Sequence, residues 1–353
     1  MGILDFFSRL LGGGKEETKV AKSQAPSAVK EDEKVEVEEE LQTDEKLWWE
    51  NPVIKDESVQ FEAVTNTILY DELHRSVKEH RLEIIEIPDN IAAILDILHR
   101  KNFKYPEIVS LVEHSPVLTG DFLSVSNSAA FNRGIKIISL AQALPRLGKQ
   151  SIQSILFLNA SKLTIPDKPI FTNVAEEVII ESQAVAKISR ILAEHMGFDP
   201  NEAFLAGLLH NVGKLGLLKQ ISIHYDMPDD LDVEYHQSLF KNIFPIFHNE
   251  AGNIIAKYWK LDSKIIEVIH LHNNLQKMID IECPNETIRL AALVNLANYM
   301  SRILGFSDCL HDGADLFGQG ACQVLEFEDT PANRRLLKKM YDDIIEVEEE
   351  AVA

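Results

Sequence analysis

The spacing of apolar residues is the feature that most constrains the fold of this chain. From Ser58 onward, apolar side chains recur at three- and four-residue intervals, which is typical of amphipathic helices. No stretch alternates apolar and polar residues between hairpin turns, so no strands are predicted. The pattern therefore predicts an all-α fold. The predicted helices are 58–81, a helix capped by Asp89, and the segments 105–114, 117–126, 152–163, 174–195, 202–218, 247–259, 263–272 and 286–304.

The segment 203–218 has the strongest apolar character in the chain. It reads AFLAGLLHNVGKLGLL and is apolar on nearly every face, which predicts a central, buried helix. Two of its glycines, Gly207 and Gly213, would let neighbouring helices approach closely. The segment also holds His210, followed at once by Asn211. A single buried histidine is more often a hydrogen-bonded core residue than a metal ligand.

The net charge, the cysteines and the length of the apolar runs indicate which partners and which compartment to expect for this protein. The 353 residues include 56 acidic and 35 basic side chains, giving a net charge of -21. Such a field disfavours contact with phosphate backbones, so no nucleic-acid partner is predicted. The cysteines (Cys283, Cys309 and Cys322) form no disulfide framework and fit a reducing compartment. No apolar run reaches the roughly 20 residues that span a bilayer. We therefore expect a cytoplasmic protein without a transmembrane segment.

Residues 1–14 form a small unit of their own. Ile3, Phe6, Phe7 and Leu10 recur at helical spacing, and three glycines follow. This pattern predicts a short amphipathic helix that docks in a groove of a partner protein, with a membrane surface as a less favoured alternative. A helix this short is marginal alone, so a segment that frays or folds back on the main domain is also open.

The segment 15–57 differs from the rest of the chain in composition. It contains the run EDEKVEVEEE, and its first part lacks aromatic residues, so it cannot bury enough apolar surface to offset its ordering entropy. We predict a disordered acidic linker there. The division of the chain is then an N-terminal helix (1–14), this linker (15–57), a leading helix (58–84), a main helical domain (85–305) and a C-terminal extension with an acidic tail (306–353).

Histidines occur on three successive predicted helices. Besides His210, His248 begins the segment HNEAGNIIAKYWKL, and His270 and His272 lie in the run IHLHNN. Imidazoles from successive helices can converge, and borderline metals favour such clusters. These four residues are therefore candidate metal ligands.

The order of these motifs resembles HDOD domains, which are bacterial relatives of the HD-superfamily metal phosphohydrolases. The resemblance rests on AFLAGLLHNVGKLGLL, FHNEAGNIIAKYWKL and VIHLHNN, and upstream on IPDNIAAILDIL, EHSPVLTGDFLSVSNSAAFN and IISLAQALPRLGKQSIQSILF. It covers about residues 85–305 and includes a turn at Asn127, Ser128 and Ala129. It implies a multi-helix HDOD-type bundle.

The resemblance also implies where metal ligands would stand. Active HD proteins use an early histidine, an adjacent His-Asp pair and a late aspartate. Here the early position falls at Glu181 or its neighbour Ser182, the pair is His210 and Asn211, and the late position falls at Asn298, with Asn295 one turn earlier. Of the four ligands only His210 is kept.

Replacing carboxylates by amides weakens a metal site. At Asn211 and Asn298 the amide is neutral, so a divalent cation loses two compensating charges and activates water poorly. Glu181 could restore one charge, and His248, His270 and His272 could build another site. We therefore expect no cofactor, with a weakly bound divalent metal as the alternative, and we assign no catalytic residue.

Three functions remain open at this point. The resemblance favours a non-catalytic bacterial signal-transduction or scaffolding module that acts through protein partners. The first alternative is a metal-dependent phosphohydrolase with a rearranged ligand set. The second is a pocket that binds a nucleotide or another small effector without chemistry.

Overall fold

The computed structural model describes residues 67–83, 85–131, 133–224, 233–306 and 315–350. Within these ranges every regular element is a helix, which confirms the predicted all-α class. The helices are α1 (Thr67–Lys78), α2 (Asp89–His99), α3 (Tyr105–Val112), α4 (Pro116–Asn127), α5 (Leu140–Leu163), α6 (Pro169–Met196), α7 (Pro200–Leu209), α8 (Val212–His224), α9 (Val233–Tyr258), α10 (Ser263–Leu271), α11 (Leu275–Asp280), α12 (Asn285–Ile303), α13 (Gly320–Leu325) and α14 (Pro331–Glu350).

Several predictions fall on residues outside these ranges. They are the N-terminal helix (1–14), the acidic linker (15–57), the first part of the leading helix, and Cys309. The described part of the leading helix is α1, which ends at Lys78 rather than at Arg81.

The helix predicted at 202–218 is interrupted in the structure. The helix α7 ends at Leu209 and α8 begins at Val212, so His210 and Asn211 lie in a turn between them. The imidazole Nδ1 of His210 lies 2.7 Å from the carbonyl oxygen of Gly207.

The predicted cap at Asp89 is also corrected. The N-cap residue of α2 is Pro88, and Asp89 is the first helical residue without a side-chain cap bond. Its carboxylate still lies in the first turn, where the helix dipole favours a negative charge.

The longest helix, α6, lies at the centre of the bundle and packs against α7 and α12. A Cβ on Gly207 would lie 2.9 Å from the Cα of Ala186, so the α6–α7 approach requires glycine. The predicted role of Gly207 is therefore confirmed. None of the described helices is long and apolar enough to cross a membrane.

A buried arginine ties the connection after α4 to α6 and α7. The Arg190 Nε donates to the carbonyl of Ala130 (2.7 Å), and its Nη1 donates to Oδ1 of Asn201 (2.8 Å). Its guanidinium also lies 3.9 Å from the ring centroid of Phe131. Burial lowers the pKa of Arg190, and Glu194 opposes this effect. These bonds join the upstream helices to the part of the domain that carries the histidines.

The segment before α10 contributes another long-range contact to the core. The ring of Trp259 stacks on Phe157 with centroids 4.7 Å apart, and its Nε1 donates to the carbonyl of Ile85 (3.3 Å). Tyr258, the last residue of α9, is 50% exposed. Adjacent helical residues point about 100° apart, so one of the two faces solvent.

Candidate functional site

Three of the four candidate histidines meet in the interior. His210 follows the end of α7, His248 lies on α9, and His272 follows the end of α10. The ring centroids of His210 and His272 are 5.2 Å apart, and those of His248 and His272 are 5.9 Å apart. All three side chains are buried. We call this set the histidine cluster.

Each imidazole of the histidine cluster is fixed by a backbone carbonyl one turn earlier. The Nδ1 atoms of His210, His248 and His272 lie 2.7, 2.5 and 3.1 Å from the carbonyl oxygens of Gly207, Phe244 and Ile269. Each Nδ1 must therefore carry the proton, because a carbonyl only accepts. The Nε2 atoms are then lone-pair acceptors. Those of His210 and His272 are buried without a hydrogen-bond partner among the described residues, and that of His248 lies 3.1 Å from the Asn273 amide nitrogen.

The environment keeps these imidazoles neutral. Burial, and then the neighbouring His272, lower the pKa of His210 well below its usual value and that of His248 to about 3. Burial lowers the pKa of His272 to about 4. The ammonium of Lys214 adds to the decrease at all three. At neutral pH the histidine cluster is an uncharged set of nitrogen acceptors.

The fourth candidate, His270, is separate from the histidine cluster. Its Nε2 lies 2.8 Å from Oε2 of Glu250, and its side chain is 27% exposed. Burial lowers the pKa of His270, and the Glu250 carboxylate opposes this shift. His270 therefore forms a surface pair between α10 and α9.

Glu181 is the carboxylate that the sequence offered at the early ligand position. It lies on α6, and its Oε2 accepts a bond of 2.8 Å from the Lys214 ammonium on α8. The Glu181 and Lys214 side chains are 8% and 18% exposed, so this pair is largely withdrawn from water. The negative charge of Glu181 is thus balanced by a cation of the protein itself.

The asparagines at the other two motif positions differ in their surroundings. Asn211 is 2% exposed, and its amide nitrogen has no hydrogen-bond partner in the part of the chain that the structure describes. On α12, the Nδ2 of Asn295 donates to the backbone carbonyl of His272 (3.0 Å). The Oδ1 of Asn298 is buried without a partner. The sequence pattern assigned the late ligand position to Asn298, with Asn295 one turn earlier. The bond to His272 became visible only in the structure.

The donor set around the histidine cluster does not suit a divalent cation. The nitrogen lone pairs of His210 and His272 would fit one, but the Glu181 carboxylate is paired with Lys214 and the residue after His210 is the amide Asn211. Among the described residues, no group of three or more histidine, cysteine, aspartate or glutamate side chains is arranged to hold a metal ion. The arrangement is a buried, neutral polar cluster.

The described helices form a bundle that buries three histidines in its interior. The HDOD domain family matches residues 84–275, more than half of the chain, and the protein therefore belongs to this family. The match ends before α12, so the assignment of the late ligand position to Asn298, and of the domain end to residue 305, stays a prediction.

Solved structures of similar fold support the architecture. A proposed metal-dependent phosphohydrolase from Shewanella amazonensis SB2B superposes with a TM-score of 0.59 at 19% identity, over 80% of this chain and 98% of that one. An HDOD domain protein of unknown function from Geobacter sulfurreducens gives a TM-score of 0.54 at 20% identity, over 79% and 96%. At such identities the likeness shows the fold alone.

A curated relative is an uncharacterized protein of Treponema pallidum (strain Nichols). It is 22% identical over 245 residues, which is 66% of this chain and 45% of the relative. The chain thus spans less than half the length of that protein.

Proposed function

We propose that this protein is a non-catalytic HDOD module of bacterial signal transduction that acts in the cytoplasm through protein partners. One observation carries the proposal: Glu181, the single acid at the degenerate ligand positions, is bound to Lys214 at 2.8 Å. Without a free carboxylate, a cation bound at the histidine cluster would be poorly compensated. A proposed signal transduction protein from Marinobacter aquaeolei VT8 has a similar fold, with a TM-score of 0.53 at 19% identity.

The first test is metal content together with hydrolysis. We expect purified protein to contain no stoichiometric iron, manganese or zinc by plasma mass spectrometry. With each metal added, it should not hydrolyse bis(p-nitrophenyl) phosphate above a His210→Ala control. Stoichiometric metal that is lost in His210→Ala would overturn the proposal.

The second test concerns partners. The full chain and a version without residues 1–46 would be cross-linked in the native cell and their captured proteins compared by mass spectrometry. We expect a reproducible partner that depends on the N-terminal region. Deleting residues 1–14 removes Ile3, Phe6, Phe7 and Leu10 and should weaken capture while leaving the melting temperature nearly unchanged. Identical capture by all three chains would count against docking by this segment.

A phosphohydrolase with a rearranged ligand set is the second candidate. It is favoured by the buried Nε2 atoms of His210 and His272, which are neutral acceptors without partners. Imidazole nitrogens of this kind bind zinc and related metals. Zinc that binds at one equivalent and is lost in His272→Gln would support this candidate over the first.

A further inference from the structure

The connection between α4 and α5 exposes apolar side chains to solvent. Ile138 is 78% exposed and Ile135 is 68% exposed, the two highest values among the large apolar side chains of the described residues. Single exposed apolar residues are ordinary on protein surfaces, whereas neighbouring ones point to a contact surface. We call residues 133–138 the α4–α5 loop.

Hydrogen bonds from neighbouring helices hold the α4–α5 loop. The backbone nitrogen of Ile137 donates to Oδ1 of Asn127 (2.7 Å), and Nδ2 of Asn127 donates to the carbonyl oxygen of Ile137 (2.9 Å). Nη1 of Arg146, on α5, donates to the carbonyl oxygen of Ile135 (3.1 Å). The Ile137 side chain is buried, whereas its neighbours on both sides are exposed. A loop held in this way loses little conformational entropy when it binds a partner.

The charge around the α4–α5 loop is opposite to that of the whole protein. The chain carries a net charge of -21, yet residues 122–166 contain no aspartate or glutamate. The basic residues of this stretch are Arg133, Lys136, Arg146, Lys149 and Lys162. Lys136 and Lys149 are exposed, and neither forms an ion pair with a carboxylate of the described residues. The surface therefore offers positive charge to a partner.

Two carboxylates lie near the Arg133 end of the α4–α5 loop. Glu194 and Asp199 raise the pKa of the buried Arg190, while Arg133 lowers it. Glu194 lies 3.5 Å from the Arg190 guanidinium, and Asp199 accepts a bond from the backbone nitrogen of Asn201 at the start of α7. Both acids thus have partners within the domain. The positive part of the surface is centred on Lys136 and Arg146 rather than on Arg133.

The side chains of this surface favour a protein partner over a membrane. Branched aliphatic groups beside ammonium and guanidinium groups complement a segment that has both aliphatic side chains and carboxylates. Residues 133–138 include no tryptophan or tyrosine, the residues that sit at a membrane interface. The net charge of -21 also opposes approach to an anionic bilayer.

We propose that Ile135, Lys136, Ile138 and Arg146 form a docking surface for an acidic, aliphatic segment of a protein partner. The exposed isoleucines contact the aliphatic side chains of that segment, and the two cations contact its carboxylates. This inference rests on the proposed signalling function and deepens it, because it names where the partner binds and the chemistry of the segment that binds.

A short fluorescent peptide of alternating glutamate and valine, titrated with the full-length chain and followed by anisotropy, tests the docking surface. We expect a dissociation constant below about 1 mM. Binding should weaken as sodium chloride rises from about 50 to 300 mM, because salt screens exposed charges. The same peptide with glutamine in place of glutamate should bind at least about tenfold more weakly, since it keeps the shape and loses the charge.

Variants of the full-length chain locate the binding. Lys136→Glu should weaken binding of the acidic peptide at least about tenfold, because it replaces an attraction with a repulsion. The matched control, Lys277→Glu, makes the same charge change at an exposed position of α11, which packs against α10 and α12, and should leave binding unchanged. Ile138→Ser should weaken binding about fivefold through lost apolar contact. Val117→Ser, at a residue that is 61% exposed at the start of α4, should have no effect.

Several results would each rule out this docking surface. They are no binding of the acidic peptide at millimolar concentration, equal binding of the glutamine peptide, and equal losses in Lys136→Glu and Lys277→Glu. Wild-type protein that sediments with vesicles of phosphatidylglycerol and phosphatidylcholine, with loss of this binding in Lys136→Glu, would assign the surface to a membrane instead. All four substitutions are at exposed positions and should leave the melting temperature unchanged, so a loss of binding reports on the contact rather than on the fold.

Cross-linking in the native cell separates failure of this surface from failure of the proposed function. A partner captured equally by the wild type and by Lys136→Glu would show that the protein acts through partners but not through the docking surface. Peptide binding by a protein that contains stoichiometric metal, lost in His210→Ala, would show that the surface exists and that the non-catalytic function is wrong.

Discussion

Gly213 lies directly against the backbone at His248. A Cβ on Gly213 would come within 1.9 Å of the His248 carbonyl oxygen and within 2.6 Å of the backbone nitrogen of Gly252. No side chain fits in that space, so α8 can approach α9 closely only with glycine at this position. This confirms the role that the sequence assigned to Gly213, and it shows that the same contact positions one member of the histidine cluster.

Gly213→Ala should therefore destabilise the protein by about 2–3 kcal/mol, because the added methyl group forces α8 and α9 apart. Urea denaturation followed by circular dichroism measures the change. Gly120→Ala is the matched control, since Gly120 is an exposed helical residue with no atom within 4 Å of the added Cβ. The control should be neutral or more stable by up to about 1 kcal/mol. Equal effects of the two substitutions would contradict this account.

Removing the Glu181 carboxylate should leave the largely buried Lys214 ammonium without an ion-pair partner. Glu181→Gln leaves Lys214 without its counter-charge, and breaking a largely buried pair costs on the order of 3 kcal/mol. Glu181→Gln/Lys214→Met should recover most of this loss, because the double variant has no unpaired charge. Chemical denaturation of the single and double variants checks both expectations.

The control pair for this experiment is Arg100 and Glu107. Their side chains are 60% and 44% exposed, and the N–O distance is 3.1 Å. Glu107→Gln should change the free energy of unfolding by less than about 1 kcal/mol. If it costs as much as Glu181→Gln, burial does not set the strength of the Glu181 pair.

The histidine cluster should make the protein less stable in mild acid. Burial holds the pKa of His272 at about 4 and that of His248 at about 3, below the unfolded value of about 6.5. Between these values the unfolded chain binds more protons than the folded protein. The stabilisation is therefore complete above about pH 6.5 and is lost as the pH falls towards 4. At pH 5 the loss is on the order of 2 kcal/mol per histidine.

Urea midpoints at pH 7, 6 and 5 measure this dependence. His272→Gln removes one titrating group and should flatten the slope. A wild-type slope that persists in His272→Gln would show that other groups govern the acid response.

Restoring the HD carboxylate should create metal dependence. Asn211→Asp places a carboxylate at a position that is 2% exposed, which should cost on the order of 2 kcal/mol in the absence of metal. Manganese or zinc should then raise the melting temperature of Asn211→Asp, because a ligand that binds only the folded state stabilises it.

His210→Ala/Asn211→Asp is the control for that shift, because it keeps the new acid and loses the neighbouring imidazole. This double variant should show no metal-dependent stabilisation. A wild-type protein that responds to metal as strongly as Asn211→Asp would show that the amide already supports binding.

Much of the fold could be predicted from the sequence because helical periodicity is a local signal. The segments around Val185, Ile255 and Leu293 were assigned to helices that the structure contains. Helix ends were less accurate. The turn at His210 and Asn211 and the non-helical backbone at Pro88 are both features of backbone geometry. Apolar spacing contains no such information.

The sequence predicted which residues are candidates for the site, but it did not predict which of them contact one another. The sequence identified His210, His248 and His272, and it offered His270 with equal weight. The two histidines in IHLHNN are two residues apart and so point in nearly opposite directions on a helix. Which of them faces inward depends on how α10 packs, and that packing places His272 in the histidine cluster and His270 beside Glu250.

The sequence by itself determined the helical class, the family resemblance and the amides that replace carboxylates, since each depends only on which residue stands at which position. The tertiary structure alone decided that Lys214 neutralises Glu181, that Asn295 donates to the backbone carbonyl of His272, and that a cavity forms between α4 and α7. These are contacts between helices distant in sequence. The physical reason is that burial and partner geometry, which set charge and hydrogen bonding, exist only once the helices have packed.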